Sequence, residues 1–596
     1  MIKPIPSGAP VPDKSPSLEQ RSVRAKLEAD LTDNLKATVG FNYGFVSDPN
    51  SYFFTPVAFA NPALAIPGLI PNSARYRKAV NYGINPDATT YEGTLKLEWK
   101  TDIGTLTSYT GYGRRRANQH FDVDGSYVDQ QYSRNSQQSK SFQQTLDYVI
   151  DAIDNVTLVA GASYYHDVSG VRPPYLTSVY GAGQTLSAVL RTRLKSEAMS
   201  FYVDGTVDLS DTVSITAGAR YTDEKKTFTF QGLQGIVLAP YTRSASFAKA
   251  TPRASIRWEL APRTNVYASY SKGFRSGTIN QGVSIAAIIP VKQELIDAYK
   301  VGFKTAQNNF RFNLSAFYYD YKDLQVSLTR PLCLNAACTQ FTLFGVVSNA
   351  PKAEIYGLDG DVSFNPTPRL TLRAGAAYLH ARHIDFSNAT GTAVNLTGAP
   401  VTLPTGAVVN PNRNFTEIQD WSGHQMPRAP TFSGNVGAEY TADLMGGKLD
   451  LSTNVNYTDS FVIENPSLYG SLAGSLANTQ RYRQKAYALV NAQIQWTDPS
   501  DHFYVGIYGR NLTNKYYRLT YNGNAGVGTT RHLPRHVNMA SRRATSSDRQ
   551  MAWTALPSTL LFRSQGLWPG QKHRSAPLPL QPLIGIRPVS PIPLFA

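Results

Sequence analysis

Cysteine is almost missing from this sequence, with two residues in a chain of 596. That scarcity excludes a disulfide-rich scaffold and a zinc array held by cysteines. Charged residues are scarce too, at 17% of the chain against the roughly 25% of ordinary soluble domains. Apolar runs fall short of the ~20 residues that a membrane-spanning helix needs, because prolines interrupt the most apolar stretch, residues 55–71. The chain is therefore not a helical membrane protein, and its hydrophobic share of 42% argues against a disordered one.

Catalytic signatures are absent from the sequence as well. It contains no G-x-S-x-G, no H-E-x-x-H and no GK[ST] phosphate loop. His380 and His383 form an H-x-x-H pair, but a strand would place the two side chains on opposite faces, so we interpret both as ordinary polar residues. We therefore expect a protein that is not an enzyme, that needs no cofactor or metal site, and that has no nucleic-acid partner.

The two ends of the chain differ in composition from the middle. Residues 1–16 contain five prolines and no apolar segment, so they do not read as a secretory signal peptide, and we expect them to be disordered. Residues 531–596 contain nine Lys or Arg against one acidic residue, and none of the 35 tyrosines. One interpretation of this segment is a basic arm that binds anions. We favour an aberrant, disordered tail, because an even tyrosine density would place about four tyrosines there.

Apolar and polar residues alternate with a period of two through most of residues 19–514. In residues 91–100, for example, Tyr91, Leu95 and Trp99 share one face and charged or small polar residues share the other. Eighteen such segments run about 10–15 residues, longer than the ~5–6 of soluble strands, and many of their apolar faces end in aromatic residues. A closed sheet of so many strands is too wide for its own side chains to fill, so the apolar face should meet lipid and the polar face should line a lumen. The sequence predicts an all-β fold: a transmembrane, antiparallel, up-and-down β-barrel.

The connections between these segments alternate between short and long. Nine short turns fall near residues 31–34, 101–104, 151–155, 210–211, 261–264, 306–309, 365–368, 444–447 and 498–501. Longer loops separate them along the chain. Short periplasmic turns and long extracellular loops are typical of outer-membrane barrels. The alternation therefore predicts which end of each strand faces the periplasm.

Seven segments together resemble a known family. They are TLTSYTGYGRR (105–115), SITAGARYTDEKK (214–226), TPRASIRWEL (251–260), TNVYASYSKGFRSGTIN (264–280), KAEIYGLDGDVSFNPTPRLTLRAGAAYLHA (352–381), APTFSGNVGAEY (429–440) and GRNLTNKYY (509–517). In this order they resemble the β-barrel domain of TonB-dependent outer-membrane receptors, and the resemblance covers about residues 17–530. It implies a barrel of the 22-stranded class, truncated here to about 18 visible strands.

The resemblance also implies a function and partners. The family takes up scarce solutes actively, most often ferric siderophores, across the outer membrane of Gram-negative bacteria, and TonB supplies the drive. The implied partners are the TonB complex, outer-membrane lipid and lipopolysaccharide, and a small-molecule ligand such as a ferric siderophore. The family's signal peptide, TonB box and plug are not found in this sequence, so we expect residues 1–16, 17–530 and 531–596 to be a disordered start, the barrel and an aberrant tail. A passive porin-like channel and a non-functional fragment of a receptor gene stay open as alternatives.

Basic side chains at predicted strand tops are the candidate ligand-binding residues. Arg114, Arg115 and Arg116 stand at one top, and Lys272 and Arg275 lie in the segment YSKGFRSG. They could attract an anionic ferric chelate or lipid phosphates, or form a solvated loop edge. In the same segment, Gly273 and Gly277 would let the backbone bend where a strand meets a loop.

The two cysteines, Cys333 and Cys338, fall five residues apart in a predicted outer loop. In an export compartment a disulfide that closes this loop is the favoured interpretation, and free thiols are the alternative.

Overall fold

The structure of this chain is a computed structural model, and every regular element among the residues that it describes is a β-strand. It describes residues 18–48, 54–58, 86–122, 132–171, 179–180, 185–186, 189–234, 240–280, 290–333, 341–394, 399–402, 408–409, 414–463, 483–517, 521–524, 528–532 and 538–545. Within these ranges no helix is long and apolar enough to cross a membrane.

Nineteen strands form one antiparallel sheet in which each strand pairs with the sheet strands before and after it in the sequence. Their bounds are β1 Glu19–Thr32, β2 Leu35–Ser47, β3 Asp87–Thr101, β4 Gly104–Asp122, β5 Tyr132–Ile153, β6 Val156–Val171, β7 Val189–Ser210, β8 Val213–Gln234, β9 Tyr241–Ala261, β10 Thr264–Arg275, β11 Glu294–Ala306, β12 Phe310–Cys333, β13 Phe341–Thr367, β14 Leu370–Asp385, β15 Phe432–Leu444, β16 Gly447–Thr458, β17 Tyr487–Thr497, β18 Phe503–Arg510 and β19 Asn538–Thr545. Eighteen of them, β1 to β18, lie in the region where the alternation predicts eighteen. The all-β, antiparallel, up-and-down fold is confirmed.

Eleven shorter strands lie outside this sheet. They are Phe54–Ala58, Val179–Tyr180, Thr185–Leu186, Ala389–Val394, Val401–Thr402, Val408–Val409, Asn414–Gln419, Phe461–Val462, Arg483–Gln484, Tyr521–Asn524 and Gly528–His532. All of them belong to the long connections, so the long-loop end of the sheet carries additional small ribbons.

Tight turns join the strands in pairs at one end of the sheet, from β1–β2 through β17–β18. All nine coincide with the short connections that the sequence predicts. Left-handed residues help to close some of them, including Asn155 (φ 59°), Arg263 (φ 60°) and Asp501 (φ 59°). Asn and Asp tolerate this conformation because their short polar side chains bond locally to the backbone. The opposite end of the sheet carries the long connections.

The two faces of the sheet differ because successive side chains of a strand point to opposite sides. On β7, Phe201 and Val203 are apolar and yet 58% and 54% exposed. Tyr221 of β8 lies opposite Phe201 and is 49% exposed. In a transmembrane barrel such an apolar face is the one that meets lipid. We call it the outward face and the other the lumen face.

A row of aromatic side chains crosses the outward face toward the long-loop end. We call it the aromatic band, and its members are Tyr43, Tyr91, Tyr112, Phe142, Tyr164, Tyr221, Tyr270, Tyr299, Tyr318 and Tyr356. Neighbouring rings are in contact, as in Tyr43–Tyr91 (centroids 5.3 Å apart) and Tyr270–Tyr299 (5.2 Å). Aromatic belts of this kind mark the headgroup level of a membrane. The band therefore separates the membrane-spanning part of the wall from the part beyond it.

The lumen face carries hydrogen-bonded polar side chains. Tyr202 donates a hydrogen bond to Asp147, and the Nη2 of Arg220 donates to Ser163 Oγ at 2.9 Å. The guanidinium of Arg220 lies over the Tyr202 ring, 5.1 Å from its centroid. These residues come from four neighbouring strands, β5 to β8, so the network joins the wall laterally. The predicted polar lumen wall is confirmed.

The sheet has two edge strands, β1 and β19. Among the described residues no backbone pairing joins them. Every residue of β1 after Glu19 is exposed, as expected of a strand with a neighbour on one side only. β19 pairs with β18, although it lies in the segment that we expected to lack regular structure. It can form there because backbone pairing with an existing strand does not require an alternating side-chain pattern. Residues 1–17 and 546–596 lie outside the described residues, so their disorder and the domain boundaries stay predictions.

Buried apolar side chains concentrate beyond the aromatic band. One cluster lies on the outer parts of β12 and β13, and a second lies on the outer parts of β8 and β9. Within the membrane-spanning part, one face meets lipid and the other is polar, so neither face can pack an apolar core there. The long-loop end is therefore where this wall has a packed interior.

Candidate functional site

The arginine triplet lies near the outer end of β4. Because successive side chains of that strand alternate, the triplet is divided between the outward face and the lumen face. Arg114 pairs with Tyr91 of β3 and with Lys140 of β5, which places it on the outward face beside the aromatic band. Arg116 follows on the same face, and it is exposed. Arg115 points to the lumen and is exposed there.

The second predicted pair is divided in the same way by β10. Lys272 pairs with Asp297 of β11 on the outward face, where the Lys272 Nζ and the Asp297 Oδ1 are 3.3 Å apart. The hydroxyl of Tyr270 donates to the same carboxylate at 2.8 Å. Arg275 lies opposite Glu294 on the lumen face and is exposed. Of the five candidate residues, Arg115 and Arg275 are the two that face the lumen.

The two ends of the β10–β11 connection fold back against the lumen wall. We call its described parts, residues 276–280 and 290–293, the inner strap. Its two parts are joined by a backbone bridge in which Thr278 N donates to Val291 O (3.2 Å) and Val291 N donates to Thr278 O (2.8 Å). The connection thus begins and ends as a narrow ribbon.

Lys226 of β8 fixes the inner strap on one side. Its Nζ donates to Ser276 Oγ and to Gly277 O, both at 2.8 Å, and lies 3.3 Å from Glu224 Oε1. Lys226 stands five residues beyond Tyr221 of the aromatic band, outside the membrane-spanning part. Burial lowers the pKa of Lys226, and the charge of Glu224 opposes that shift. With its donors engaged in this way, Lys226 acts as a structural anchor.

Side chains of β12 and β13 fix the inner strap on the other side. The Nε2 of Gln325 donates to Ser276 O (2.9 Å) and to Lys292 O (3.2 Å). The side-chain amide of Asn280 pairs with the backbone of Val347, since Nδ2 donates to Val347 O and Oδ1 accepts from Val347 N, both at 2.8 Å. Asn280 thus satisfies two backbone groups in the manner of a neighbouring strand.

Apolar packing and close backbone approach complete this contact. Ile279 is 2% exposed because it packs on Phe228 and Phe230, which are both fully buried. A Cβ at Gly277 would overlap the carbonyl oxygen of Val291. Glycine is therefore needed here for close approach of two backbones rather than for a left-handed φ.

A second packed region covers the outer parts of β12 and β13. We call it the outer cap, and its buried members are Leu324, Val326, Leu328, Val346, Ala350, Ala353, Phe386, Ala389 and Trp421. The Trp421 ring meets Phe386 edge-on with centroids 5.4 Å apart, and its Nε1 donates to Gln419 Oε1 at 2.9 Å. An aromatic pair with its polar atom satisfied is a strong packing element.

His383 lies within the outer cap and is 1% exposed. Its ring is 5.4 Å from the Phe386 ring and 6.1 Å from the Trp421 ring, and its Nδ1 has no hydrogen-bond partner among the described residues. Burial, helped by the charge of His424, lowers the pKa of His383 to about 4. His380 lies elsewhere, stacked on Tyr356, so the H-x-x-H pair is separated as the strand geometry predicts.

Of the five candidate residues, Arg115 and Arg275 are therefore the two that are exposed on the lumen face near the mouth. Neither Arg115 nor Arg275 has an ion-pair partner among the described residues. They are six strands apart, or about 29 Å along the wall, so a solute entering from the long-loop end meets positive charge on two sectors of the lumen. The described residues contain no group of three or more His, Cys, Asp or Glu that could hold a metal ion. The predicted Cys333–Cys338 disulfide lies outside the described residues, because Cys338 is not among them.

Sequence reasoning missed the residues that hold the inner strap. Lys226 and its partner Ser276 are 50 residues apart, and Asn280 and Val347 are 67 apart. A period-2 pattern places each side chain on a face but does not say which distant segment it meets. The one local signal was the segment 264–280 itself, whose end supplies the strap.

Comparison with known proteins adds a family and a set of structural relatives. A family model described as TonB dependent receptor-like, beta-barrel, matches residues 22–512. The ferric yersiniabactin uptake receptor FyuA from Yersinia pestis is 15% identical, with a TM-score of 0.64 over 89% of this chain and 71% of that one. The siderophore receptor PiuA from Acinetobacter baumannii is 14% identical, with a TM-score of 0.63 over 89% and 75%. The ferric-catecholate import receptor Fiu from E. coli K12 is 13% identical, with a TM-score of 0.59 over 89% and 74%.

No curated protein matches the chain. At identities this low, the likeness to the solved structures establishes the fold and leaves the solute open.

Proposed function

This chain belongs to the TonB-dependent receptor β-barrel family, and from that premise we propose that it is the barrel of a receptor for active uptake of a scarce solute. The wall it builds has an apolar outward face, a polar lumen face and long outer connections, which suits a solute that enters from outside. We propose no enzymatic role, since binding and passage need no reacting group on the wall.

A ferric siderophore is the cargo that we propose. The observation that carries this proposal is that two of the candidate arginines, Arg115 and Arg275, are exposed on the lumen face and have no ion-pair partner among the described residues. Cations that line a mouth with low-dielectric protein walls focus the electric field. They thereby raise the local concentration of an anionic solute, such as a negatively charged ferric chelate. The relatives named above include receptors for ferric yersiniabactin and ferric catecholate, which supports the same class of cargo.

The location and partners follow from the same premise. We propose that the chain resides in the outer membrane of a Gram-negative cell, with lipid and lipopolysaccharide around its outward face. The TonB complex is the proposed source of energy. The aromatic band and the exposed apolar face support this location, because both suit a bilayer and neither suits water.

Binding of ferric chelates to the purified chain in detergent tests the cargo. The probes are Fe(III) loaded on an anionic triscatecholate and on a neutral trihydroxamate, with quenching of tryptophan fluorescence as the readout. We expect the anionic chelate to bind more tightly, and we expect Arg115→Gln and Arg275→Gln each to weaken it about tenfold, the effect of losing one charge-assisted contact. Arg114→Gln is the matched control, because that side chain faces outward, and it should leave binding unchanged.

Two outcomes would overturn this proposal. If neither chelate binds below millimolar concentration, or if Arg114→Gln weakens binding as much as Arg275→Gln does, the siderophore is the wrong cargo. The rival function is a passive channel. It would show as unselective leakage of uncharged sugars of graded size from vesicles that contain the protein.

A further inference from the structure

We propose that Arg114, Arg116 and Lys140 form a binding site for the phosphate groups of an anionic lipid in the outer leaflet of the membrane. We call these three residues the basic cluster. The inference rests on the outer-membrane location proposed above and is independent of the cargo.

Strand register brings the three cations together. Arg114 of β4 and Lys140 of β5 are directly opposite each other, which places their Cβ atoms about 5 Å apart. Arg116 follows Arg114 on the same face, about 7 Å further along the strand. Three long donor side chains thus start from one small patch of the outward face, close enough for a single phosphate group to be within reach of all three. Phosphate presents several acceptor oxygens, and arginine in particular binds it through two parallel hydrogen bonds.

The basic cluster is not neutralised by an ion pair among the described residues. None of its members has an ion-pair partner among the residues that the structure describes, and both Arg116 and Lys140 are exposed. Asp87 is the nearest acidic residue on the same face, where its Oδ1 accepts from the Asn118 Nδ2 at 3.0 Å and no ion pair between it and the cluster is seen among the described residues. Like charges directly opposite each other on neighbouring strands repel. An anion bound between Arg114 and Lys140 would remove that repulsion.

The level of the basic cluster selects the kind of anion. Arg114 comes two residues after Tyr112, and Lys140 lies two residues from Phe142, both members of the aromatic band. The band marks the headgroup level, so the next outward position meets lipid phosphates. Cations just beyond a membrane-embedded surface attract anionic headgroups. A site for free phosphate in solution would have no reason to lie directly beside the aromatic band.

Another sector of the same face shows what a balanced arrangement looks like. Lys322 and Lys352 are also directly opposite each other, on β12 and β13. Two residues nearer the aromatic band, Asp320 and Glu354 form the adjacent pair on the same strands. This acidic pair offsets the two lysines. The sector therefore supplies a control that matches the Arg114–Lys140 pair in charge and register but has acidic neighbours that the basic cluster lacks among the described residues.

Lipid retained by the protein tests the proposal. The chain is reconstituted in phosphatidylcholine vesicles that contain either diphosphorylated lipid A or its dephosphorylated form, extracted in mild detergent, and examined by native mass spectrometry. No siderophore is present, so the result does not depend on the cargo. We expect the phosphorylated form to be retained in preference. The double variant Arg114→Gln/Lys140→Gln should lower its retention about tenfold, and the matched double variant Lys322→Gln/Lys352→Gln should change it less than twofold.

The outcomes separate this site from its rivals. Equal retention of the two forms would show that phosphate is not recognised, and an equal loss in both double variants would show a response to net charge alone. Displacement of the lipid by millimolar inorganic phosphate would assign the cluster to a soluble anion instead. Each of these results overturns the proposal. Unchanged heat-modifiable electrophoretic mobility confirms that each variant is folded, and Arg116→Gln alone gives an intermediate loss if the cluster acts as stated.

Discussion

The long-loop rim of this barrel has two sides that treat their cations differently. Over β8 to β13 the rim is packed, and Lys226 there has a carboxylate and two oxygen acceptors of the inner strap as partners. Over β4 and β5 the described residues form no such packed cluster, and Arg114 there faces Lys140 with no acidic partner among them. A cation with every donor engaged stabilises the fold, whereas one without a partner is available to a ligand. The comparison teaches that location at the rim does not by itself identify a binding residue.

Removing the centre of the outer cap should have the largest effect. Trp421→Ala deletes a side chain that is 1% exposed and packed on Phe386, so we expect a loss of about 3–5 kcal/mol in the stability of the packed side. Hydrogen exchange of the outer parts of β12 and β13 measures that loss locally. Ile418→Ala is the control, since Ile418 is 69% exposed in the same region and should cost less than about 0.5 kcal/mol. Similar exchange in both variants would mean that the outer cap is not a packed unit.

Lowering the pH should loosen the packed side of the rim and leave the outer ends of β4 and β5 unchanged. The pKa of His383 falls from 6.5 to about 4, so the folded state holds the neutral ring. The stability that the neutral ring contributes is fully present above pH 6.5 and is lost as the pH falls toward 4. The total loss in the free energy of unfolding is about 3 kcal/mol. Protease cleavage within residues 383–426 should increase between pH 7 and pH 4.5, and the variant His383→Phe should lose most of this pH dependence. A variant with the wild-type pH profile would contradict the assignment to His383.

Two adjacent lysines sharpen the comparison within a single strand. Lys226→Met leaves Ser276 Oγ, Gly277 O and the Glu224 carboxylate without their donor, so we expect a loss of about 1–3 kcal/mol. Lys225→Met removes an exposed side chain on the outward face and should cost less than about 0.5 kcal/mol. Denaturant titration of both variants in detergent provides the measurement. Equal midpoints would remove the distinction between an anchored and a free cation.

The smallest expected effect has the opposite sign. In detergent without phosphorylated lipid, Arg114→Gln relieves the repulsion with Lys140 and should stabilise the protein by about 0.2–1 kcal/mol. The gain should shrink as salt rises from about 0.01 to 1 M, because screening weakens interactions between exposed charges. Denaturant midpoints at the two salt concentrations test this. A destabilised variant would show that Arg114 has a structural partner after all.

Local pattern was enough for the strands and the turns, although the sequence analysis grouped the arginine triplet as one candidate site. The short connection at residues 151–155 became the turn that Asn155 closes, and residues 91–100 became part of β3 with Tyr91 and Trp99 on its outward face. Such features depend on residues within one or two strands, so the period of the pattern and the chemistry of the turn are sufficient. The same alternation implies that Arg114 and Arg115 face opposite ways.

The packed side of the rim was decided by tertiary structure. Asn280 meets Val347, and Gln325 meets Ser276, because β8 to β13 run beyond the aromatic band and stand close enough for the connection between β10 and β11 to bridge them. β19 is a similar case, since it joins the sheet through backbone pairing with β18. The sequence pattern of residues 538–545 does not predict this pairing.

The sequence by itself determined a membrane-spanning wall with one face for lipid and one for a lumen, because that property is periodic and repeats in every strand. The tertiary structure decided which cations are anchored and which are free, because the partner of each side chain is set by strand register and by contacts across 50 residues or more. Lys226 and Arg114 are both basic residues near a strand top in the sequence. Only their surroundings in the folded wall make the first a structural anchor and the second a candidate lipid ligand.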